Sequence, residues 1–301
     1  MTNYSIHIEN FSKSFGDLKA VDDLSFDVLE GEVFAFLGTN GSGKTTTIRC
    51  LLKIYHPDSG KLLINNEEYS DKFNSILGYL PEERGLYKDA KVLDMLVYTS
   101  QLRGIKKGLA IKKCLEYLEQ VDLLKHKNKK ISQLSSGMQQ KVQLGTTLIH
   151  DPEILILDEP FKGLDPLNRQ LFIDIFLEKA KKGTTILYST HVIDEAQKMA
   201  DKILIINKGK RIEYGTTTDV RRKYGSNNLL ITFLGTKPLK SHQLYTSIVT
   251  NNTAEITPTG NQSTNKILET LIKSGTEIQE CKVDYPSLNQ IFIDISKTDE
   301  E

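Results

Sequence analysis

Three features of this 301-residue sequence predict an α/β fold with a parallel sheet core. A short apolar run, Val33 to Leu37, passes through a glycine-rich loop into a helical pattern from Thr45 to Leu52. A second apolar run, Ile154 to Leu157, is unbroken and ends in two carboxylates, Asp158 and Glu159, as a strand buried on both faces does. Beyond about residue 220 the pattern changes to short strands and helices after a polar connector, which predicts a small α+β domain over residues 221–301.

Composition narrows the class. Lys plus Arg (39) balances Asp plus Glu (39), so no basic field points to nucleic acid as a partner. No stretch reaches the roughly 18 apolar residues of a membrane-spanning helix, and the N-terminus lacks a signal-peptide pattern. Cys50, Cys114 and Cys281 are odd in number and far apart, as expected for reduced thiols in a cytoplasmic protein. The six histidines show no metal-binding spacing.

Taken in order, Ser5 to Ile8 and Leu24 to Val28 alternate apolar with polar residues and predict half-buried strands. Lys13 to Asp17 between them is turn-like, and its ring, Phe15, is either a packing residue or a surface for a base to stack on. The loop Gly38-Thr39-Asn40-Gly41-Ser42-Gly43-Lys44-Thr45 follows the buried strand. Its glycines let successive N–H groups turn inward toward phosphate oxygens, and the next helix adds the positive end of its dipole. Lys44 is predicted to reach the β- and γ-phosphates and the Thr45 hydroxyl to ligate Mg²⁺. With Gly at about 7% of residues, the fixed positions of this loop would coincide by chance only on the order of once in a hundred such chains.

The helix predicted over residues 45–54 stops at the breaker cluster Pro57 to Gly60, and strands follow at Gly60 to Asn65 and Ile76 to Leu80. Helical spacing then holds over Val92 to Arg103 and Ala110 to Leu124, so residues 85–150 form a helical insertion. The basic run Lys125 to Lys130 is by default a solvated face, and contact with anionic lipid headgroups is the sharper alternative. Leu134-Ser135-Ser136-Gly137 opens a helix to about Ile149, both a cap and a place where free N–H groups gather.

At the end of the buried strand, Asp158 suits Mg²⁺ and Glu159 suits the positioning or deprotonation of an attacking water. Thr184 to Tyr188 predicts another buried strand, and His191 follows it as Glu159 follows its own, close enough in this register to face a γ-phosphate. Ile203 to Tyr214 predicts a hairpin turning at Gly209. In the C-terminal part, strands are predicted at Leu229 to Phe233, Ala254 to Thr257 and Thr276 to Val283, with helices at Asn265 to Lys273 and Ser287 to Ser296. No chemical motif appears there.

Together these stretches resemble the ATP-binding subunit of an ABC transporter over roughly residues 4–220. Gly38 to Thr45 matches the Walker A loop, Ile154 to Glu159 matches Walker B with its catalytic glutamate, and Leu134 to Met138 matches the signature motif. Gly163-Leu164-Asp165 matches the D-loop, His191 the switch histidine, and Phe15 the adenine-stacking aromatic. The resemblance implies a P-loop NTPase sheet core with N-terminal antiparallel strands and a helical insertion. It further implies ATP and Mg²⁺ as ligands, held by loop residues 38–45 with Thr46. It implies a dimer, of two identical or two different chains, in which Ser135, Gly137 and Asp165 of one chain cover the nucleotide on the other's Lys44. Catalysis falls to Glu159, His191 and Lys44. The subunit is expected at the cytoplasmic face of a membrane, bound through separate permease subunits.

Three positions in two motifs depart from the family pattern. Ser136 and Met138 stand where glycine and glutamine are usual in the signature, and Glu82 stands where the Q-loop has glutamine. A carboxylate facing a triphosphate is tolerable as a metal-side ligand, or turned away with Arg84 near enough to neutralise it; a conformational role is expected. The runs Leu80 to Tyr87 and Pro286 to Phe292 resemble bacterial exporter subunits of the sodium-extrusion type. The alternative, a soluble ABC ATPase acting on ribosomes or DNA, is disfavoured by a single phosphate loop and no heptad repeat.

Overall fold

The computed structural model describes residues 4–83, 85–225, 228–234, 240–260, 262–283 and 285–298. Strands β1 (Tyr4–Phe15) and β2 (Leu18–Leu29) form a hairpin, β3 (Val33–Leu37) leads into α1 (Lys44–Leu51), and β4 (Ser59–Ile64) pairs antiparallel with β1. These give a three-stranded antiparallel sheet in the order β2-β1-β4. After β5 (Leu77–Leu80) comes the helical insertion: α2 (Val92–Leu102), α3 (Lys107–Gln120) and α4 (Ser136–Leu148). The chain continues through β6 (Ile154–Asp158), α5 (Pro166–Lys181), β7 (Thr185–Thr190), α6 (Ile193–Met199), β8 (Lys202–Asn207) and β9 (Lys210–Thr216).

The central sheet has the order β5-β6-β7-β3-β8-β9, with all neighbours parallel except the β8–β9 hairpin. Every residue of β3, β6 and β7 is buried, which is why these runs lack alternation in the sequence. The phosphate loop leaves β3, the carboxylates leave β6 and His191 leaves β7. One sheet edge, at the carboxyl ends of adjacent parallel strands, therefore collects all three, as open α/β sheets collect their ligands.

The N-terminal strands are longer than the alternation predicts. Register shifts between Ile8 and Phe11 and around Lys13 interrupt the period of two, and the chain turns only at Gly16 and Asp17. Phe15 consequently ends a strand at the hairpin tip. Helices α5 and α6 and the C-terminal strand at residues 245–250 were not anticipated. Asp165 at the N-cap and Pro166 at the first helical position are the signal that would have marked α5. The basic run has a backbone role: the carbonyls of Lys127 and Lys129 accept from the N–H groups of Leu93 and Val92 at 3.0 Å. They thereby cap α2, whose own N-cap, Lys91, makes no side-chain bond.

A second compact unit spans Thr217–Glu301, after a first of Met1–Thr216. It contains α7 (Thr217–Lys223), β10 (Leu229–Leu234), β11 (Tyr245–Thr250), β12 (Thr253–Pro258), α8 (Thr264–Lys273), β13 (Glu277–Val283) and α9 (Leu288–Thr298). Its antiparallel sheet runs β11-β12-β10-β13, and Ile267 and Leu271 of α8 join the buried Leu229, Ile231 and Ile256 in its core. Helix α7 belongs here because Val220 is buried and the Arg221 guanidinium donates to the carbonyls of Tyr285 and Pro286 at 3.0 Å. The units thus divide a few residues before position 220. Truncation after Thr216 is expected to leave a folded protein that binds nucleotide, whereas a cut after Tyr224 strands α7 without its partner. Loss of binding in a truncation that retains its melting transition would refute this division of labour.

Candidate nucleotide-binding and hydrolysis site

Residues 40–46 of the loop, with Glu82 and Glu159, line a cavity of about 210 Å³. The loop's shape depends on missing side chains. Gly43 has φ 108°, and a Cβ there would lie 2.6 Å from the Ala20 carbonyl oxygen. A Cβ on Gly38 would lie 2.4 Å from Ser42 Oγ and 2.6 Å from the Ile206 carbonyl oxygen, so the loop is pressed against β8. Lys44 is buried, and its Nζ donates to the carbonyls of Gly38 (2.8 Å) and Thr39 (2.9 Å). Burial pushes its ammonium down, opposed by Glu159, Asp158 and Glu82. The side chain thus sits across the loop's mouth with its charge balanced by carboxylates, ready to exchange carbonyl oxygens for phosphate oxygens.

Asp158 is 1% exposed, and burial raises its carboxyl above the ordinary range despite hydrogen bonds from Ser189 and Thr45. Ser189 Oγ donates to Asp158 Oδ1 at 2.5 Å, and the same Oγ accepts from Glu159 N at 3.1 Å. Ser189 was missed in the sequence. Its signal is register: β6 and β7 pair Asp158 with Ser189 directly, so a polar residue at that strand end must face the carboxylates.

Glu159 has φ 50°, an uncommon left-handed conformation for a residue with a side chain. In a continuing strand, consecutive side chains would point to opposite faces. The turn instead lets Asp158 approach Thr45 while Glu159 lines the cavity. His191 Nδ1 lies 3.0 Å from both carboxylate oxygens of Glu159, so the two residues that follow neighbouring strands meet.

Mg²⁺ has fitting donors here. Asp158 Oδ2 is buried with no partner in hydrogen-bonding geometry, and the Thr45 hydroxyl lies beside the same carboxylate. Among the described residues no group of three or more His, Cys, Asp or Glu side chains could cage an ion alone. One carboxylate and one hydroxyl suit Mg²⁺, which keeps waters and takes phosphate oxygens for its remaining positions.

The other predicted residues lie outside this cavity's lining. Ser135 caps α4 by accepting from Met138 N at 3.3 Å, and a Cβ on the nearby Gly137 would lie 3.5 Å from the Gly163 carbonyl oxygen. Asp165 caps α5 by accepting from Asn168 N at 3.0 Å, a bond that holds its carboxyl below the usual range. Phe15 is 45% exposed, meets Tyr55 edge-on at 5.5 Å and has Lys13 Nζ over its ring at 5.4 Å from the centroid. Glu82 lines the cavity, but its partner is one the sequence did not suggest: Lys162 Nζ donates to Glu82 Oε1 at 2.7 Å. Arg84 lies outside the described residues.

The ABC transporter family model matches residues 21–162, and a DrrA1-3-like ATP-binding protein C-terminal domain model matches residues 215–296. The ABC transporter ATP-binding protein YhaQ of Bacillus subtilis is 35% identical over 290 residues, 95% of this chain and 97% of its own length. The chain belongs to the ATP-binding subunits of ABC transporters. An uncharacterised ABC transporter ATP-binding protein of Methanocaldococcus jannaschii is 44% identical over 218 residues, 72% of this chain and 80% of that one. The bacitracin transport ATP-binding protein BcrA of Bacillus licheniformis is 36% identical over 213 residues, 69% and 68% of the two chains. A solved ATP-binding subunit of an ABC transporter superposes with a TM-score of 0.68 at 28% identity, covering 73% of this chain and 92% of its own. The fold and the ATPase class predicted from the sequence stand.

Proposed function

We propose that this subunit hydrolyses ATP as half of a head-to-tail dimer and drives export through separate permease subunits at the cytoplasmic face of a membrane. The observation that carries the reading is Glu159, aimed into the phosphate cavity and held by His191. In the proposed cycle the triphosphate lies along the loop N–H groups, and Lys44 moves from the Gly38 and Thr39 carbonyls to phosphate oxygens. Glu159 accepts a proton from the water that attacks the γ-phosphorus as the bond to the β–γ bridging oxygen breaks and ADP leaves, with His191 Nδ1 fixing the orientation of Glu159. Bound Mg²⁺ supplies neutralisation of charge on the phosphates. The exposed ring of Phe15 receives the adenine.

Dimerisation is supported by what one chain lacks. Ser135, Gly137 and Asp165 lie outside the lining of their own chain's cavity, and Ser135 caps the start of α4, where the positive end of the helix dipole favours an anion. A second chain placed head to tail would bring them to the γ-phosphate. Export is supported by a relative whose name gives that direction, the Nod factor export ATP-binding protein I of Burkholderia orbicola, 34% identical over 213 residues. Among the described residues no helix is long and apolar enough to cross a membrane, so a permease has to supply the path. A docking face for it is supported by exposed apolar side chains: Tyr87 is 65% exposed and Leu102 66% exposed, while Leu86 is half-buried. Leu102 also rims a groove of about 270 Å³ with Tyr79, Thr99 and Arg103.

Co-purification from native membranes, followed by ATP-driven transport in vesicles, tests the whole proposal. In that system Tyr87→Glu is expected to abolish most transport while the isolated chain keeps its basal ATPase rate. Unchanged transport would remove Tyr87 from the interface.

A further inference from the structure

The cavity gathers more negative charge than one lysine balances. Glu82 and Glu159 line it, Asp158 lies beside it, and among the described residues Lys44 is the one cation in its lining. A triphosphate entering this space adds several more negative charges. Of the three carboxylates, Glu159 is engaged by His191 and Asp158 by Ser189 and Thr45. Glu82 is left with an approach to the phosphates and no role in holding them. Its partner is Lys162, in the loop that runs from Glu159 to the α5 cap at Asp165.

The geometry fixes both halves of that pair. The backbone on either side of Glu82 is clamped from α4, where the Gln143 side-chain amide donates to the carbonyls of Pro81 at 3.1 Å and Glu83 at 3.2 Å. Lys162 N donates to the Glu159 carbonyl at 3.2 Å, so the lysine springs from a tight turn directly after the catalytic glutamate. The Glu82–Lys162 contact of 2.7 Å then bridges the segment leaving β5 and the loop leaving β6.

We propose that Lys162 is a positioning residue for Glu82, holding its carboxylate away from the triphosphate and cancelling its charge. The proposal rests on the nucleotide-site reading above. Without the lysine, Glu82 remains in the cavity lining with Lys44, where it competes with phosphate for that ammonium. Lys162 acts here through Glu82 and makes no phosphate contact of its own. Both side chains are substantially exposed, 36% for Glu82 and 61% for Lys162, so their replacement leaves the core intact.

The test is titration of the full chain with a fluorescent N-methylanthraniloyl ATP in EDTA, which removes metal and stops turnover. Lys162→Ala is expected to weaken binding about fivefold, Lys162→Arg to restore it, and added salt to narrow the difference by screening. In a Glu82→Gln background, Lys162→Ala is expected to have no further effect, because the charge it controls is gone. Equal weakening in both backgrounds would mean that Lys162 touches phosphate directly, and the proposal would fall. No weakening in either would also overturn it. Absence of binding by the unaltered chain would instead overturn the nucleotide-site reading, so the two failures are distinct.

Discussion

Glu159→Gln is expected to bind ATP with near-native affinity, to lose steady turnover by on the order of a hundredfold to ten-thousandfold, and to accumulate as an ATP-bound dimer. The range is that of a positioned general base. The amide has the shape of the carboxylate and can keep a contact to His191, 3.0 Å away, but it cannot take up a proton from water. The backbone also stays as it is: the left-handed turn at φ 50° is tied by Glu159 N to both the carbonyl and the hydroxyl of Ser189. Steady-state phosphate release and gel filtration with and without ATP read the two effects. Hydrolysis near the wild-type rate would show that another group activates the water.

Lys44→Ala is expected to act one step earlier, on nucleotide binding itself. A charge-assisted hydrogen bond to a phosphate is worth about 1.5–3 kcal/mol, which corresponds to a dissociation constant raised on the order of tenfold to a hundredfold. A second effect follows from burial. Lys44 is the cation set against Asp158, Glu159 and Glu82, and its Nζ ties the loop through the Gly38 and Thr39 carbonyls. Its loss removes a donor from both loop carbonyls and the ammonium set against the buried Asp158, so the nucleotide-free protein is expected to melt at a lower temperature as well. Fluorescent-nucleotide titration and calorimetry separate the two effects. An unchanged dissociation constant would take Lys44 out of the phosphate contacts.

The transported substrate is not written in this site. In the proposed cycle the same loop, carboxylates and histidine act whatever is carried, so resemblance to sodium-extrusion subunits names no cargo here. The C-terminal unit packs a core around Leu229, Ile231 and Ile267, and among the described residues it has no group of three or more His, Cys, Asp or Glu that could hold a metal ion.

The sequence alone determined the elements whose cause is local. Val33–Leu37 and the run 154–157 are apolar throughout because strands inside a parallel sheet have no solvent face, and the glycines between Gly38 and Gly43 announce a backbone that side chains would block. Phosphate-loop chemistry is encoded by spacing along a few residues, so it is legible without a partner strand. Tertiary structure decided the rest, because it depends on which strands become neighbours. The order β6-β7-β3 sets Ser189 against Asp158 and brings His191 to Glu159, across sequence separations that no local pattern records. It also decided the partner of Glu82. The sequence offered Arg84, two positions away, while the fold delivers Lys162, eighty residues later, because β5 and β6 lie side by side and their loops leave the same edge of the sheet.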